Sequence, residues 1–265
     1  MNTREMRVDI LKMALAAKSQ GAHMGGSLSM VEIMAALYGG VMKIDPQDMQ
    51  NEARDRLIIS KGHGVMAQYV ALKQLGLISE EELLTYKAND SIISAHPAVN
   101  ADLGIDYASG SLGMGLSLAA GAALALKRKG NEVSRIFVVL GDGECNEGSV
   151  WEAASAAAHY GLGNVVAIVD RNGLQYDGDT ENIMALEDFE AKWKAFGWET
   201  VTVDGHDVAA LSEVLARRTE KPYAVIARTV KGKGISFMEN APQWHNGVVT
   251  QKMFEQAVTE VEAGA

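Results

Sequence analysis

Five short apolar runs, each ending in glycine or polar residues, predict the strands of a parallel sheet. Their centres lie near Leu57, Ile136, Val165, Thr200 and Val225. Before and between these runs, as at residues 3–19, 116–129 and 147–160, the apolar positions recur at helical spacing. Strands that alternate with helices are typical of a doubly wound α/β fold, with helices on both faces of a mostly parallel sheet. We therefore predict a single α/β domain over residues 1–265.

The clearest strand–helix–strand pattern occupies residues 136–180. Its first apolar run ends at Gly141-Asp142-Gly143, and its second leads into Asp170-Arg171-Asn172. Neighbouring parallel strands end at the same edge of a sheet, so Asp142 and Asn172, which are 30 residues apart, are expected to converge. This edge is the predicted position of the functional site.

The residue types at this edge suit a small divalent cation. The Asp142 carboxylate, the Asn172 amide oxygen and a backbone carbonyl near Leu174 are oxygen donors, and Mg²⁺ bound by such donors usually completes its shell with phosphates and water. The glycines beside Asp142 let the backbone approach a phosphate closely. The pattern predicts a clamp for a metal and a diphosphate.

Composition excludes several other classes of function. The net charge is −10, which argues against a nucleic-acid partner because such binding depends on clustered Lys and Arg. The single cysteine, Cys145, excludes an internal disulfide and a cysteine-based zinc site. The first helix has no apolar signal core, and no segment has 18 uninterrupted apolar residues, so a cytoplasmic protein without a membrane segment is expected.

Four histidines lie in predicted loops next to glycine or proline. They are His23, which lies in a glycine-dense loop predicted over residues 20–27, and His63, His96 and His245. Taken singly, each could be an ordinary loop residue, although His63 precedes a helix whose free N–H groups would favour an anion. Gly110-Ser111-Leu112-Gly113 likewise leads into a helix, but it lacks the Lys-Ser or Lys-Thr pair of a P-loop.

The combined motifs resemble those of transketolases. Gly141-Asp142-Gly143, with Asn172 30 residues later, resembles the thiamine-diphosphate motif, and its extension through Glu147-Gly148 is similar to the transketolase version. The four histidines and the 110–113 loop fit the same family, although many members have proline where this chain has Ser111. The resemblance covers essentially the whole chain and implies the diphosphate-binding (PP) domain of a thiamine-diphosphate enzyme.

The resemblance also implies a role for each matching residue. Metal ligands would be Asp142, Asn172 and the carbonyl of Leu174. Contacts with the cofactor would come from His63, Gly113, Gly143, Asn172, His245 and Glu147, the last at a subunit interface that links two cofactor sites. Substrate binding and proton transfer would involve His23, His96 and His245. The remaining candidates, His159, His206 and Cys145, are interpreted as structural.

The activity implied is transfer of a two-carbon ketol unit from a ketose phosphate to an aldose, with thiamine diphosphate and Mg²⁺ or another small divalent cation as cofactors. In the family, a glutamate that activates the cofactor belongs to a pyrimidine-binding domain further along the polypeptide. The chain ends at Ala265, about where that domain would begin. The expectation is therefore a split transketolase, inactive alone and active as an α₂β₂ heterotetramer with a separately encoded pyrimidine-domain subunit.

Other functions remain open at this point. The α-subunit of a 2-oxo-acid dehydrogenase would share Asp142 and Asn172 without the histidines, and a 1-deoxyxylulose-phosphate-synthase-like enzyme is usually one polypeptide. A non-catalytic binding module would be expected to lose its metal ligands. A dinucleotide-binding turn requires G-x-G-x-x-G, whereas here the third glycine, Gly148, falls two places late.

Overall fold

A central sheet of five parallel strands organises the computed structural model, which describes residues 1–264. The strands are β1 Arg56–Ile59, β2 Ile136–Gly141, β3 Val165–Arg171, β6 Glu199–Asp204 and β7 Tyr223–Arg228, and a separate two-stranded hairpin consists of β4 Leu174–Gln175 and β5 Gly178–Asp179. In the main sheet the spatial order is β1-β2-β3-β7-β6, and every pairing is parallel. The predicted strand positions and the parallel α/β architecture are confirmed.

Helices cover both faces of this sheet. They are α1 Thr3–Ala16, α2 Met24–Leu28, α3 Val31–Ala36, α4 Met66–Gln74, α5 Glu80–Leu83, α6 Gly115–Arg128, α7 Gly148–His159, α8 Thr180–Ile183, α9 Phe189–Ala195, α10 Val208–Leu215 and α11 Gln251–Ala263. One apolar core contains residues of helices α1, α2, α3, α4, α10 and α11. A second core contains residues of α6, α7 and α9. Because both faces are buried, the inner strands are continuously apolar rather than alternating.

Strand β2 shows how the sheet supplies both cores. Phe137 and Val139 pack into the first core, whereas Ile136, Val138 and Leu140 pack into the second. The β2–β3 register pairs Gly141 with Asp170, so Asp142 and Asn172 both leave the sheet at its carboxyl edge. The predicted strand–helix–strand unit around the motif is confirmed.

The predicted glycine-dense loop at 20–27 is wrong in its second half. Helix α2 begins at Met24, with His23 as its N-cap residue, so Gly25 and Gly26 are helical. A Cβ on Gly25 would lie 2.8 Å from Cγ of Lys231, and one on Gly26 would lie 3.2 Å from the ring of His63. These glycines allow two side chains of the site to approach the helix, rather than forming a turn.

The helical stretch Met24–Val41 also has the length and composition of a membrane span, with a mean hydropathy of 1.2. However, 83% of this stretch is buried inside the fold, as expected for a helix of the domain core. Its apolar residues are accounted for by packing against helices α1, α4 and α10.

Candidate active site at the carboxyl edge of the sheet

A cavity of about 340 Å³ opens at the carboxyl edge of the sheet. Its walls contain most of the predicted site residues together with several that were not predicted. The predicted residues are His63, Asp142, Gly143, Glu147, Asn172, Leu174 and His245, and the others include Gly26, Lys61, Leu112, Glu144, Gln175, Tyr176, Asp177 and Lys231. The turn of the β4–β5 hairpin carries Tyr176 and Asp177 to the cavity rim.

The Asp142 carboxylate lies at the base of this cavity and is 2% exposed. It accepts hydrogen bonds from the N–H groups of Gly143 at 2.8 Å and Gly173 at 2.7 Å, and Arg171 lies 3.3 Å away. The turn after β3 therefore folds around Asp142. Burial, and after it the charge of Asp170, raises the pKa of Asp142. A bound cation would relieve that unfavourable burial of negative charge.

The two other predicted metal ligands lie on the same turn. The Asn172 side-chain oxygen accepts a hydrogen bond from the Leu174 N–H at 3.1 Å, while the Leu174 carbonyl accepts one from Lys231 Nζ at 3.0 Å. Within residues 1–264, no group of three or more His, Cys, Asp and Glu side chains is arranged to hold a metal. A site made of one carboxylate, one amide and one carbonyl is consistent with that finding. These oxygen donors suit Mg²⁺.

A buried ion pair, absent from the sequence predictions, supports the turn from below. Asp170 is fully buried and accepts hydrogen bonds from Lys61 Nζ, the Ser29 and Thr229 hydroxyls, and Asn172 Nδ2. Burial alone would raise the pKa of Asp170, but the charge of Lys61 and these hydrogen bonds lower it overall. In the sequence, Asp170 could have been singled out because it lies at the end of a buried strand, beside the motif that contains Asn172.

Lys231 brings a second buried amino group to the cavity. Its Nζ lies 3.3 Å from His245 Nδ1 in addition to its bond with the Leu174 carbonyl, and the residue is 2% exposed. Burial, and after it the charge of Lys61, lowers the pKa of Lys231 to about 8. Lys61 and Lys231 thus make this wall electropositive, which favours a phosphate group. The basic Lys-Gly-Lys-Gly segment was visible in the sequence, but its role was not inferred.

Glu144 fixes the loop that contains Gly113. Its carboxylate accepts hydrogen bonds from the Ser60 hydroxyl, from the Gly113 N–H at 2.8 Å and from the Gly141 N–H at 2.9 Å. Gly113 has a φ of +82°, and a Cβ there would lie 2.8 Å from Cβ of Glu147. The predicted loop residue Gly113 therefore lies next to Glu147 of the cavity wall, held by a carboxylate that the sequence did not single out.

Glu147 occupies the N-cap position of α7 but makes no capping hydrogen bond with its side chain. Its side chain is exposed at the cavity wall. Glu147 is thus placed where another molecule could contact it.

The two residues interpreted as structural near this helix differ in burial. Cys145 is buried, and burial raises the pKa of its thiol, whereas His159 is exposed.

The four predicted histidines form one cluster. The ring of His23 lies 5.6 Å from that of His63, 5.8 Å from that of His96 and 5.5 Å from that of His245, and the rings of His63 and His245 are 4.9 Å apart. These residues come from four separate parts of the chain. Their predicted grouping is therefore observed, although their individual roles remain predictions.

All four imidazoles favour the neutral form. Burial, followed by the charges of His245 and Lys87, lowers the pKa of His23 to about 4. Burial, followed by the charges of Lys231 and Lys61, lowers the pKa of His245 to about 4. Burial likewise lowers the pKa of His63 and, with Lys87, that of His96. His23 Nδ1 is buried without a hydrogen-bond partner. A neutral ring with a free nitrogen can bind a substrate hydroxyl and accept a proton.

We expect the free energy of unfolding to decrease as the pH falls from 6.5 towards 4. In that interval the unfolded chain protonates His23 while the folded chain does not, because the folded pKa is about 4, so lower pH favours unfolding. Denaturant unfolding at a series of pH values would measure this dependence. His23→Gln should reduce the slope, and His159→Gln should leave it unchanged. Equal slopes for the unchanged chain and His23→Gln would contradict the lowered pKa.

Comparison with known proteins indicates the same family as the sequence motifs. Residues 3–260 match the family model described as "Transketolase, thiamine diphosphate binding domain". The chain is 41% identical over 247 residues to one subunit of the apulose-4-phosphate transketolase of Phocaeicola vulgatus, covering 92% of this chain and 87% of that protein. It is 42% identical over 243 residues to the 6-deoxy-6-sulfo-D-fructose transketolase subunit SqwG of Clostridium sp., covering 91% and 88%.

Solved structures show the same similarity in three dimensions. Transketolase from Leishmania mexicana superposes with a TM-score of 0.86 at 26% identity. The alignment covers 99% of this chain but 41% of that one. The chain therefore spans about two fifths of that transketolase chain and nearly nine tenths of the two subunit relatives.

Proposed function

The chain belongs to the transketolase family, and on that basis we propose that it is the thiamine-diphosphate- and Mg²⁺-binding subunit of a two-subunit transketolase. The observation that carries the proposal is the convergence of Asp142, Asn172 and the Leu174 carbonyl in a cavity that also contains His63 and His245, two members of the histidine cluster. The reaction would move a two-carbon ketol unit from a ketose phosphate to an aldose or aldose phosphate.

The residues of the cavity fit the two ends of a metal-bound diphosphate. Asp142, Asn172 and the Leu174 carbonyl would hold the cation, and His63, His245 and the Gly143 N–H would contact the diphosphate. Lys61 and Lys231 add positive charge to the same wall. When bound, thiamine diphosphate supplies an electron sink for breaking and forming the C–C bond.

The protein's own contribution to the reaction would be orientation and proton transfer. His23, His96 and His245 would bind the sugar hydroxyls, and a neutral imidazole would take a proton from a hydroxyl as it becomes a carbonyl. It would return that proton in the reverse step. The lowered pKa values keep these rings unprotonated at neutral pH and therefore able to act as bases.

A second, separate polypeptide would complete the site. Relatives that are named as transketolase subunits imply a further subunit in those enzymes. Leu112 and Tyr176, two large apolar side chains at the cavity, are exposed in this chain, and so are Met114 and Leu118, which line a neighbouring pocket with His96. Exposed apolar groups at a cavity rim favour a protein partner. We propose a pyrimidine-domain subunit in an α₂β₂ assembly, with Glu147 at the interface between cofactor sites.

The test is a titration of thiamine diphosphate with Mg²⁺ into the chain, alone and with its candidate partner, followed by near-ultraviolet circular dichroism. We expect Mg²⁺-dependent binding and sugar-phosphate turnover only when both subunits are present. The products of ketose phosphate and aldose mixtures would be identified by mass spectrometry. Transketolase turnover by the isolated chain would contradict the proposed division into subunits.

Two further outcomes would redirect the assignment. Decarboxylation of pyruvate by the reconstituted complex would favour a 2-oxo-acid-decarboxylating enzyme. Absence of Mg²⁺-dependent binding with and without the partner would favour a binding module that retained the fold. The choice of donor and acceptor sugars would follow from the product analysis, since the partner is expected to contribute to the sugar-phosphate site.

A further inference from the structure

A buried charged network lies behind the cavity, among elements that do not line it. Glu32 on α3 accepts hydrogen bonds from Arg7 Nη1 at 2.7 Å and Arg7 Nη2 at 2.9 Å, and lies 2.9 Å from His206 Nδ1. Burial would raise the pKa of Glu32, but His206 and Arg7 lower it overall, so the carboxylate is ionised. His206 follows β6, on the short turn before α10.

The hydrogen bonds of His206 define its tautomer. The Val230 N–H points at His206 Nε2 at a distance of 2.8 Å, so Nε2 must be an unprotonated acceptor. Nδ1 must then carry the proton, which it donates to Glu32. The imidazole therefore connects a buried carboxylate to one backbone amide.

That amide belongs to the residue immediately before Lys231. The same network reaches the other side of Lys231, because Arg7 Nε donates to the Lys233 carbonyl at 3.1 Å. Between these two points the Gly232 N–H donates to the Gly25 carbonyl at 3.0 Å. The 230–233 segment is consequently held on the side away from the cavity, with the Lys231 side chain directed into it.

We propose that His206 is a positioning residue that keeps Lys231 in the cofactor cavity. The proposal rests on the proposed function for its biological purpose, but its structural part concerns this chain alone. His206 would act only through the Val230 N–H, and would not itself contact the cofactor or substrate.

Lys231 needs such restraint because its surroundings oppose its charge. Its amino group is buried, lies 3.3 Å from His245 Nδ1 and donates to the Leu174 carbonyl at 3.0 Å. Burial of the charge would favour movement of this flexible side chain towards solvent. A fixed backbone limits that movement and keeps the Lys231 ammonium group in position to bind a phosphate.

Two conservative substitutions separate the positioning role from simple packing. In His206→Gln the side-chain oxygen can take the place of Nε2 and accept from the Val230 N–H. In His206→Asn the shorter amide can still donate to Glu32, but it does not reach Val230. Rescue by Gln and not by Asn is therefore expected if the bond to Val230 is what matters, with His206→Ala as the full deletion.

The first measurement follows Lys231 without any cofactor. The full chain would receive a limiting pulse of acetic anhydride, and acetylation of Lys231 would be quantified by peptide mass spectrometry, with amide hydrogen exchange of the 229–234 segment measured in parallel. Loss of one buried hydrogen bond should raise both rates about tenfold in His206→Asn and His206→Ala. His206→Gln should stay close to the unchanged chain.

The second measurement is the affinity for thiamine diphosphate with Mg²⁺ in the assembled two-subunit enzyme. We expect binding about tenfold weaker in His206→Asn, with His206→Gln near the unchanged enzyme. Unaltered Lys231 acetylation in His206→Asn, or equal impairment of both variants, would overturn the positioning role. If the unchanged assembly bound no cofactor, the proposed function would fail, while the acetylation rates would still support or refute the positioning of Lys231.

Discussion

Asp142→Asn is expected to weaken Mg²⁺-dependent binding of thiamine diphosphate to the assembled enzyme by at least about 100-fold, beyond the loss usual for outer-shell residues of metal sites. The substitution keeps the size of the side chain but removes the negative charge that the cation would neutralise. It also replaces one acceptor oxygen by an amide nitrogen opposite the Gly143 and Gly173 N–H donors. Calorimetric titration of the cofactor with and without Mg²⁺ would measure the change, and sugar-phosphate turnover should fall with it.

Asp177→Asn is the matched control for this variant. Asp177 lines the same cavity and undergoes the same chemical change, but it is exposed on the hairpin turn and is not a predicted ligand. We expect its cofactor affinity to stay close to that of the unchanged enzyme. The burial that raises the pKa of Asp142 opposes its ionised form, so loss of its charge should not by itself unfold the chain. Binding by Asp142→Asn as tight as by Asp177→Asn would refute the metal-ligand assignment.

Asp170→Ala is expected to lower the free energy of unfolding by about 3–5 kcal/mol, the range for a buried ion pair that loses one partner. The substitution would leave the Lys61 ammonium buried without its counter-charge, and would also remove the acceptor for Ser29 and Thr229. Chemical denaturation of the unchanged chain and the variant, monitored by far-ultraviolet circular dichroism, would give the difference.

Two comparisons identify uncompensated charge as the cause. Adding Lys61→Met to Asp170→Ala should restore part of the lost stability, because the unpaired ammonium is then absent. Lys194→Met, which removes a largely exposed ion pair with Glu190, should cost no more than about 0.5 kcal/mol. A double variant less stable than Asp170→Ala alone would show that cavity formation, rather than buried charge, dominates the loss.

Local sequence patterns were sufficient to predict the sheet and the position of the centre of the site. Continuous apolar runs predict strands buried on both faces, and the β2–β3 pairing then brings Asp142 and Asn172 to one edge, as observed. Glycine next to histidine indicated close approach around His23 and His63, but it also suggested a loop where α2 is in fact helical. Glycine has two uses, turns and tight packing, and only the neighbouring side chains show which applies.

The partners of the buried charges could not be predicted in this way. Lys61 and Asp170 are 109 residues apart, Ser60 and Glu144 are 84 apart, and Glu32 and His206 are 174 apart. Each residue alone resembles an ordinary polar residue at the end of a strand or helix. Its chemistry depends on which other charge it meets after folding.

The parallel α/β architecture and the convergence of Asp142 and Asn172 were thus readable from the sequence, because periodicity and spacing encode them locally. The grouping of the four histidines followed instead from the resemblance to transketolases. Three contacts became visible only in the folded chain: Lys231 reaches the Leu174 carbonyl, Glu144 holds the Gly113 loop, and His206 bonds to Val230. They arise where distant segments pack together, and burial then selects which polar groups must pair.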